Sequence, residues 1–206
     1  FSSLASNLVS GDANGTWDVF VHDCVTGSTE CVSVDPTGNP GNGSSSWGAI
    51  SPDGRYVAFQ SSATNLVASD TNGFWDVFVR DRQSGTTTRV SANGNMQGNG
   101  NSQNPTISAG GRYVAYVFTG TNLVSGDTNG RYDVFVRDRQ SATTTRVSTN
   151  GGVQGNGDSG TPTISADGRY VAFVFTGTNL VPGDTNGTWD ILLCDLQAQS
   201  PIRISV

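Results

Sequence analysis

The stretch Ile50-Ser-Pro-Asp-Gly-Arg-Tyr-Val-Ala-Phe59 returns as Ile107-Ser-Ala-Gly-Gly-Arg-Tyr-Val-Ala-Tyr116 and again as Ile164-Ser-Ala-Asp-Gly-Arg-Tyr-Val-Ala-Phe173, at a spacing of 57 residues. A second block follows each copy. Asp70-Thr-Asn-Gly-Phe-Trp-Asp-Val-Phe-Val-Arg-Asp81 recurs at 127–138 and, more loosely, at 184–195, with an earlier copy at 12–23. Such a period marks a repeat architecture, in which each unit buries its apolar surface against its neighbours. In the third copy the runs 105–108, 112–119, 132–138 and 143–148 read as four short strands, A to D. Asp-Gly or Gly-Gly between A and B, and Gln83-Ser84-Gly85 between C and D, are hairpin signals. Strands B and C are nearly continuously apolar, which in an antiparallel setting implies sheets covered on both faces.

Composition agrees with an all-β fold. The 206 residues include no Lys, one Glu (Glu30) and one Met (Met96), a poor supply of helix formers. The formal charge of −6 repels phosphate backbones, and the 11 basic residues, all Arg, occur singly, so nucleic-acid binding is not expected. The longest apolar runs, 113–118 and 170–175, are of strand length and far short of the roughly 20 residues a membrane-spanning helix needs. No membrane insertion is expected.

Antiparallel four-stranded units in tandem, buried on both faces, are what a β-propeller stacks around its axis. The ordered motifs Ser-x-Asp-Gly-Arg-Tyr-Val-Ala-Phe, Asp-Val-Phe-Val-Arg-Asp and Thr-Thr-Thr-Arg-Val-Ser resemble the WD-like repeat of TolB-type β-propellers over nearly the whole chain. The resemblance implies a single propeller domain or propeller fragment: a partial first blade at 1–46, then blades at 47–104, 105–161 and 162–206. It implies no one function, since the scaffold hosts many. The first blade lacks strand A and most of strand B, so either the chain is part of a larger propeller or a second chain supplies the missing strands.

Cys24 and Cys31 flank the C-to-D turn of the first blade, where the later blades carry Arg82 with Arg89 and Arg139 with Arg146. Facing positions across a hairpin lie within disulfide reach, so a Cys24–Cys31 bridge is expected, with Cys194 a free thiol. A bridge favours an extracellular or periplasmic setting.

Every repeat carries Asp-x-Asn-Gly-x-x-Asp between B and C: Asp12, Asn14, Asp18; Asp70, Asn72, Asp76; Asp127, Asn129, Asp133; Asp184, Asn186, Asp190. Two carboxylates and an amide oxygen around one turn repel unless a cation joins them, and Ca²⁺ suits an all-oxygen donor set of irregular geometry. The spacing resembles the later part of the calcium loop of integrin-type propeller repeats. That resemblance implies Asp, Asn and Asp as ligands, with the Phe74 carbonyl as a fourth in the second repeat. Its leading ligand is missing here, because the position holds Ser10, Ala68, Ser125 and Pro182. A carbonyl, a water or the recurring Asn7, Asn65, Asn122 and Asn179 would substitute. The alternative is a self-capped turn, in which Asp and Asn accept hydrogen bonds from the backbone two residues on.

Enzyme signals are weak. Gly157-Asp-Ser-Gly160 spells a serine-protease tetrapeptide, but its sister segments diverge and the only histidine, His22, sits on a strand. The stretch 10–17 resembles the Asp-box turn of sialidases with one residue too many, and one Glu with scattered Arg does not supply the Glu and Arg cluster that sialidase-like chemistry wants. Trp17, Trp75, Tyr132 and Trp189, beside the acidic loops, either pack between blades or offer sugar-stacking surfaces. The reading is a non-catalytic extracellular β-propeller with Ca²⁺-stiffened loops, acting as a structural, adhesive or protein-recognition module and open to self-assembly. A carbohydrate-binding propeller and the accessory domain of a secreted hydrolase are the alternatives.

Overall fold

A computed structural model describes residues 1–205. Strands β1 (Ser2–Ser3), β2 (Asp18–His22) and β3 (Thr29–Cys31) form a three-stranded sheet. Three four-stranded sheets follow: β4 (Ser45–Ile50) to β7 (Thr86–Arg89) through β5 (Tyr56–Ser61) and β6 (Asp76–Asp81); β10 (Ser102–Ile107) to β13 (Thr143–Arg146) through β11 (Tyr113–Phe118) and β12 (Asp133–Asp138); and β16 (Ser159–Ile164) to β19 (Ser200–Arg203) through β17 (Tyr170–Phe175) and β18 (Asp190–Asp195). Each is an antiparallel meander in sequence order, the blade of a β-propeller, and the chain forms a partial propeller. None of its described helices is long and apolar enough to cross a membrane.

The core lies between the blades. Val19 and Val32 of the first sheet pack with Val57, Phe59 and Phe78 of the second. Ala58, Val77 and Val79 on the other face of that sheet pack with Val114, Tyr116 and Phe118 of the third. Val134 and Val136 of the third meet Phe173, Phe175 and Leu192 of the fourth. Middle strands therefore bury both faces, which is why alternation fails in them and continuous apolar runs take its place.

The two repeated motifs hold each other. Tyr56 lies opposite Asp81 across β5 and β6, and the neighbouring Arg55 makes a paired contact with the Asp81 carboxylate, 3.0 Å from Nε and 2.7 Å from a terminal nitrogen. Arg112 with Asp138 and Arg169 with Asp195 repeat it. Asp81 also accepts the Gln83 N–H at 3.0 Å, closing the C-to-D turn. Blades are locked to one another where Gly111 meets Tyr56: a Cβ on Gly111 would lie 2.4 Å from the ring, and Arg139 stacks over the same ring while donating to the Gly111 carbonyl at 2.7 Å. Gly168 against Tyr113 makes the same contact one blade later.

Three features differ from the sequence expectation. Strand A begins at Ser45, Ser102 and Ser159, slightly ahead of the expected blade boundaries, because a bulge with positive φ at Trp47, Asn104 and Thr161 interrupts its pairing register. A chain kinked there, and followed in two copies by a proline without an N–H, hides a strand from pattern reading. Two small hairpins, β8 (Ala92–Asn93) with β9 (Met96–Gln97) and β14 (Thr149–Asn150) with β15 (Val153–Gln154), occupy the Asn/Gly-rich D-to-A connections. The expected Cys24–Cys31 disulfide is absent, and both thiols are free. The register explains it: Cys31 lies opposite Phe20, whereas Cys24 sits in the turn beyond His22, which pairs with Thr29. Cys194 is a free, buried thiol as expected, pushed up to about 11 by burial.

Replacing Gly111 by Ala adds a backbone-strain cost to a clash with the Tyr56 ring and is expected to destabilise the protein by about 2–3 kcal/mol in denaturant titration. Gly110→Ala, with comparable φ but open space around it, is expected to cost only about 1 kcal/mol.

Candidate functional site

The acidic loops meet the base of strand C in the same way in each repeat. In the second, Asp76 opens β6 with no exposed surface, and Asp70, six residues earlier, is also buried. The Asn72 side chain closes the turn between them: its Oδ1 accepts the Phe74 N–H at 3.0 Å, and its Nδ2 donates to Asp76 at 2.8 Å and to the Gly98 carbonyl at 3.1 Å. Ser91, just after β7, donates to the other Asp76 oxygen at 2.5 Å while its Oγ accepts the Val77 N–H. The third repeat reproduces these bonds with Asn129, Asp133, Ser148 and Val134. The first has Asn14, Asp18, Ser33 and Val19, and the fourth has Asn186, Asp190, Ser205 and Ile191.

The cation between the carboxylates is a guanidinium in three of the four repeats. Arg89 lies 3.0 Å from Asp70 and 3.8 Å from Asp76; Arg146 lies 3.1 Å from Asp127 and 3.8 Å from Asp133; Arg203 lies 3.5 Å from Asp184 and 3.7 Å from Asp190. The side chains of Arg89 and Arg146 are about nine-tenths buried. Gln97, delivered by the β8–β9 hairpin, accepts from Arg89 at 3.0 Å and from the Thr71 and Asn72 N–H groups at 3.1 Å, while its own amide donates to the Ser69 carbonyl. Gln154 does the same in the third repeat. In the first repeat Cys31 stands where the arginine stands elsewhere, and Asp12 has no ion pair among the described residues.

All twelve sequence-selected residues thus come together, four sets of three, and each set includes the self-capped turn. Among the described residues no group of three or more His, Cys, Asp or Glu side chains is placed to hold a metal ion. Three of the four Asn residues considered as substitute ligands are engaged elsewhere: Asn65, Asn122 and Asn179 accept the N–H of Asn42, Asn99 and Asn156. Sequence reasoning missed Arg89, Arg146 and Arg203, Ser91, Ser148 and Ser205, and Gln97 and Gln154. The signal was the recurring Thr-Thr-Thr-Arg-Val-Ser, whose last three residues carry an Arg and a Ser at fixed spacing.

Electrostatics follow from burial. Asp76 is pushed up to about 6 by desolvation, against the lowering hydrogen bonds of Ser91 and Asn72. Burial also raises Asp18, Asp70, Asp127 and Asp133. Asp138, by contrast, is held near 2, chiefly by its Arg112 hydrogen bonds. Of the enzyme motifs, Ser159 is a buried strand residue, and His22 is exposed and contacts Thr29 at 2.9 Å. The aromatic row is largely at the surface, with Trp17, Tyr132 and Trp189 46%, 48% and 74% exposed.

Removing one member of a buried ion pair strands the others, so Arg89→Ala and Arg146→Ala are each expected to cost about 3–5 kcal/mol in denaturant titration, against a much smaller loss for Arg55→Ala, whose side chain is 41% exposed. An acid raised in the folded state destabilises it on ionising. The Asp76 contribution is therefore complete below about pH 4 and lost as pH rises through about 6. Asp76→Asn is expected to abolish that pH dependence, read from melting temperatures at stepped pH, while lowering stability overall because its amide N–H meets the Asn72 or Ser91 donor.

No protein-family model matches the sequence, and no curated protein does. Solved structures do resemble the fold. A putative TolB from Agrobacterium tumefaciens superposes with a TM-score of 0.59 at 16% identity, over 93% of this chain and 57% of that one. TolB from Acinetobacter baumannii gives 0.55 at 17%, over 92% and 38%. The tricorn protease gives 0.54 at 16%, over 89% and 16%. The chain spans less than two thirds of each of these proteins, and at such identities the likeness is one of fold: the architecture is that of a TolB-type β-propeller.

Proposed function

We propose that the chain is a non-catalytic recognition module carried on a β-propeller scaffold. The observation that supports this is the fate of its repeated chemistry. The carboxylates, amides and hydroxyls that recur in every repeat are turned inward on one another, and in three repeats on an arginine, so they brace the B-to-C loops. Beside those braced loops stand the aromatic side chains of Trp17, Tyr132 and Trp189, open to solvent. Rigid loops presenting aromatic surface are a binding arrangement, because little conformational entropy remains to be lost when a ligand docks.

Arginine takes over the role that the sequence reading gave to Ca²⁺. A guanidinium already lies between the carboxylates of each pair in repeats two to four, and Asn Nδ2 and Ser Oγ donate to the oxygens of Asp76, Asp133 and Asp190. In the second repeat a divalent ion would have to displace these donors. The extracellular or periplasmic setting expected from a Cys24–Cys31 bridge forms no part of this proposal, because both thiols are free.

Two measurements test the proposal. The melting temperature is expected to be the same in EDTA and in millimolar calcium; a rise with calcium would restore the ion to the loops. On arrays of immobilised glycans and peptides the purified chain is expected to retain one ligand class saturably and leave it chemically unchanged by mass spectrometry. Turnover of the retained ligand would overturn the non-catalytic reading.

A further inference from the structure

One cleft departs from the repeat. It opens beside the bulge of β4, has a volume of about 500 Å³, and is lined by Trp17, Trp47, Trp75 and by Ser2, Ser44 and Ser46. No ionisable side chain lines it. Another cleft, of about 280 Å³ between the third and fourth sheets, is lined by charged groups already engaged: Asp138 with Arg112, Arg146 with Asp127, Arg169 with Asp195, and Asp167 with the Ser165 hydroxyl and the Arg169 N–H.

Comparison with the neighbouring blade shows what opens the first cleft. At the corresponding place one blade later the bulge residue is Asn104, and its N–H is capped by the Gln60 side chain at 2.9 Å. Here the residue matching Gln60 is Ser2, too short to reach, and the residue matching Asn104 is Trp47. The bulge holds φ at 55° for Trp47 and 52° for Asn104. Asn tolerates that left-handed conformation; a bulky aromatic rarely occupies it. Trp47 is moreover 64% exposed, so packing in the core does not offset the strain. A tryptophan that is costly to the backbone, unburied, and facing two other indoles is better explained by a ligand than by folding.

The cleft also states the ligand's chemistry. Indole faces stack on the C–H faces of sugar rings, and their edges supply N–H donors. Among the described residues the hydroxyls of Ser2, Ser44 and Ser46 make no side-chain hydrogen bond within the chain, leaving donors and acceptors free between the indoles, as a polyhydroxylated ring requires. A lining without charge selects against uronic acids and amines. We infer that Trp17, Trp47 and Trp75, with Ser2, Ser44 and Ser46, form a binding site for a neutral saccharide. This rests on the recognition reading above and gives it a ligand class.

The test is tryptophan fluorescence and calorimetric titration of the full chain with neutral cello-, xylo-, manno- and galacto-oligosaccharides, alongside an oligogalacturonate, a proline-rich peptide and choline. At least one neutral saccharide is expected to bind with an indole emission shift. Trp47→Asn keeps the bulge residue of the next blade and so keeps the fold; it is expected to weaken binding about tenfold or more, while Val153→Ala, an exposed apolar residue of the third repeat, leaves it unchanged. Full affinity in Trp47→Asn, or binding of only the peptide, choline or the charged sugar, would overturn the saccharide site and leave the recognition reading standing. Cleavage of a bound saccharide would overturn the recognition reading itself.

Discussion

An arginine held between two buried carboxylates, at the point where the long loop turns into the third strand of the blade, is the contact on which the rest of the architecture depends. The carboxylates alone would repel, and burial alone would drive them toward protonation, as the raised values of Asp70 and Asp76 show. The guanidinium of Arg89 comes from the following strand, Ser91 from just beyond it, and Gln97 from the small hairpin after that. One cluster therefore ties the B-to-C loop, the C strand, the D strand and the D-to-A connection into a single unit. In the second and third repeats the blade thereby acquires an internal anchor at its loop end, while apolar side chains hold it to its neighbours.

A second, more exposed set of ion pairs works at the other end of the same strands. Arg55 with Asp81, Arg112 with Asp138 and Arg169 with Asp195 fasten the start of strand B to the end of strand C. Solvent screens these pairs more than the buried ones, so they define register rather than supply most of the stability. Tyr56 and Tyr113, which follow the first two of these arginines, turn toward the next blade, where Gly111 and Gly168 admit the rings only because they lack a Cβ. Charge thus organises each blade internally, and shape organises the contact between blades.

Against this regular background the first two repeats stand out. Cys31 replaces the buried arginine, Ser2 replaces the capping glutamine, and Trp47 occupies a bulge suited to asparagine. A repeat scaffold tolerates such local departures because each interface is stabilised separately. The tryptophan cleft lies at one of these departures, which separates residues that maintain the scaffold from residues that use it.

Much of the fold was legible in the chain itself. The 57-residue period, the hairpin signals and the apolar middle strands specify tandem four-stranded units because burial on both faces and tight turns leave a local imprint at fixed spacing. The acidic triads were legible for the same reason: their members lie within one turn of chain. Which cation joins them was not, because Arg89 approaches Asp70 from a strand nineteen residues away and Gln97 arrives by a hairpin too short to leave a pattern. Likewise Cys24 and Cys31 look like partners in one dimension, yet pairing of Phe20 with Cys31 places them at different levels of the hairpin. Local sequence determined the elements and their order. Register, bulges and the packing of one blade on the next, which depend on where distant side chains fit, decided what each polar group and each tryptophan faces.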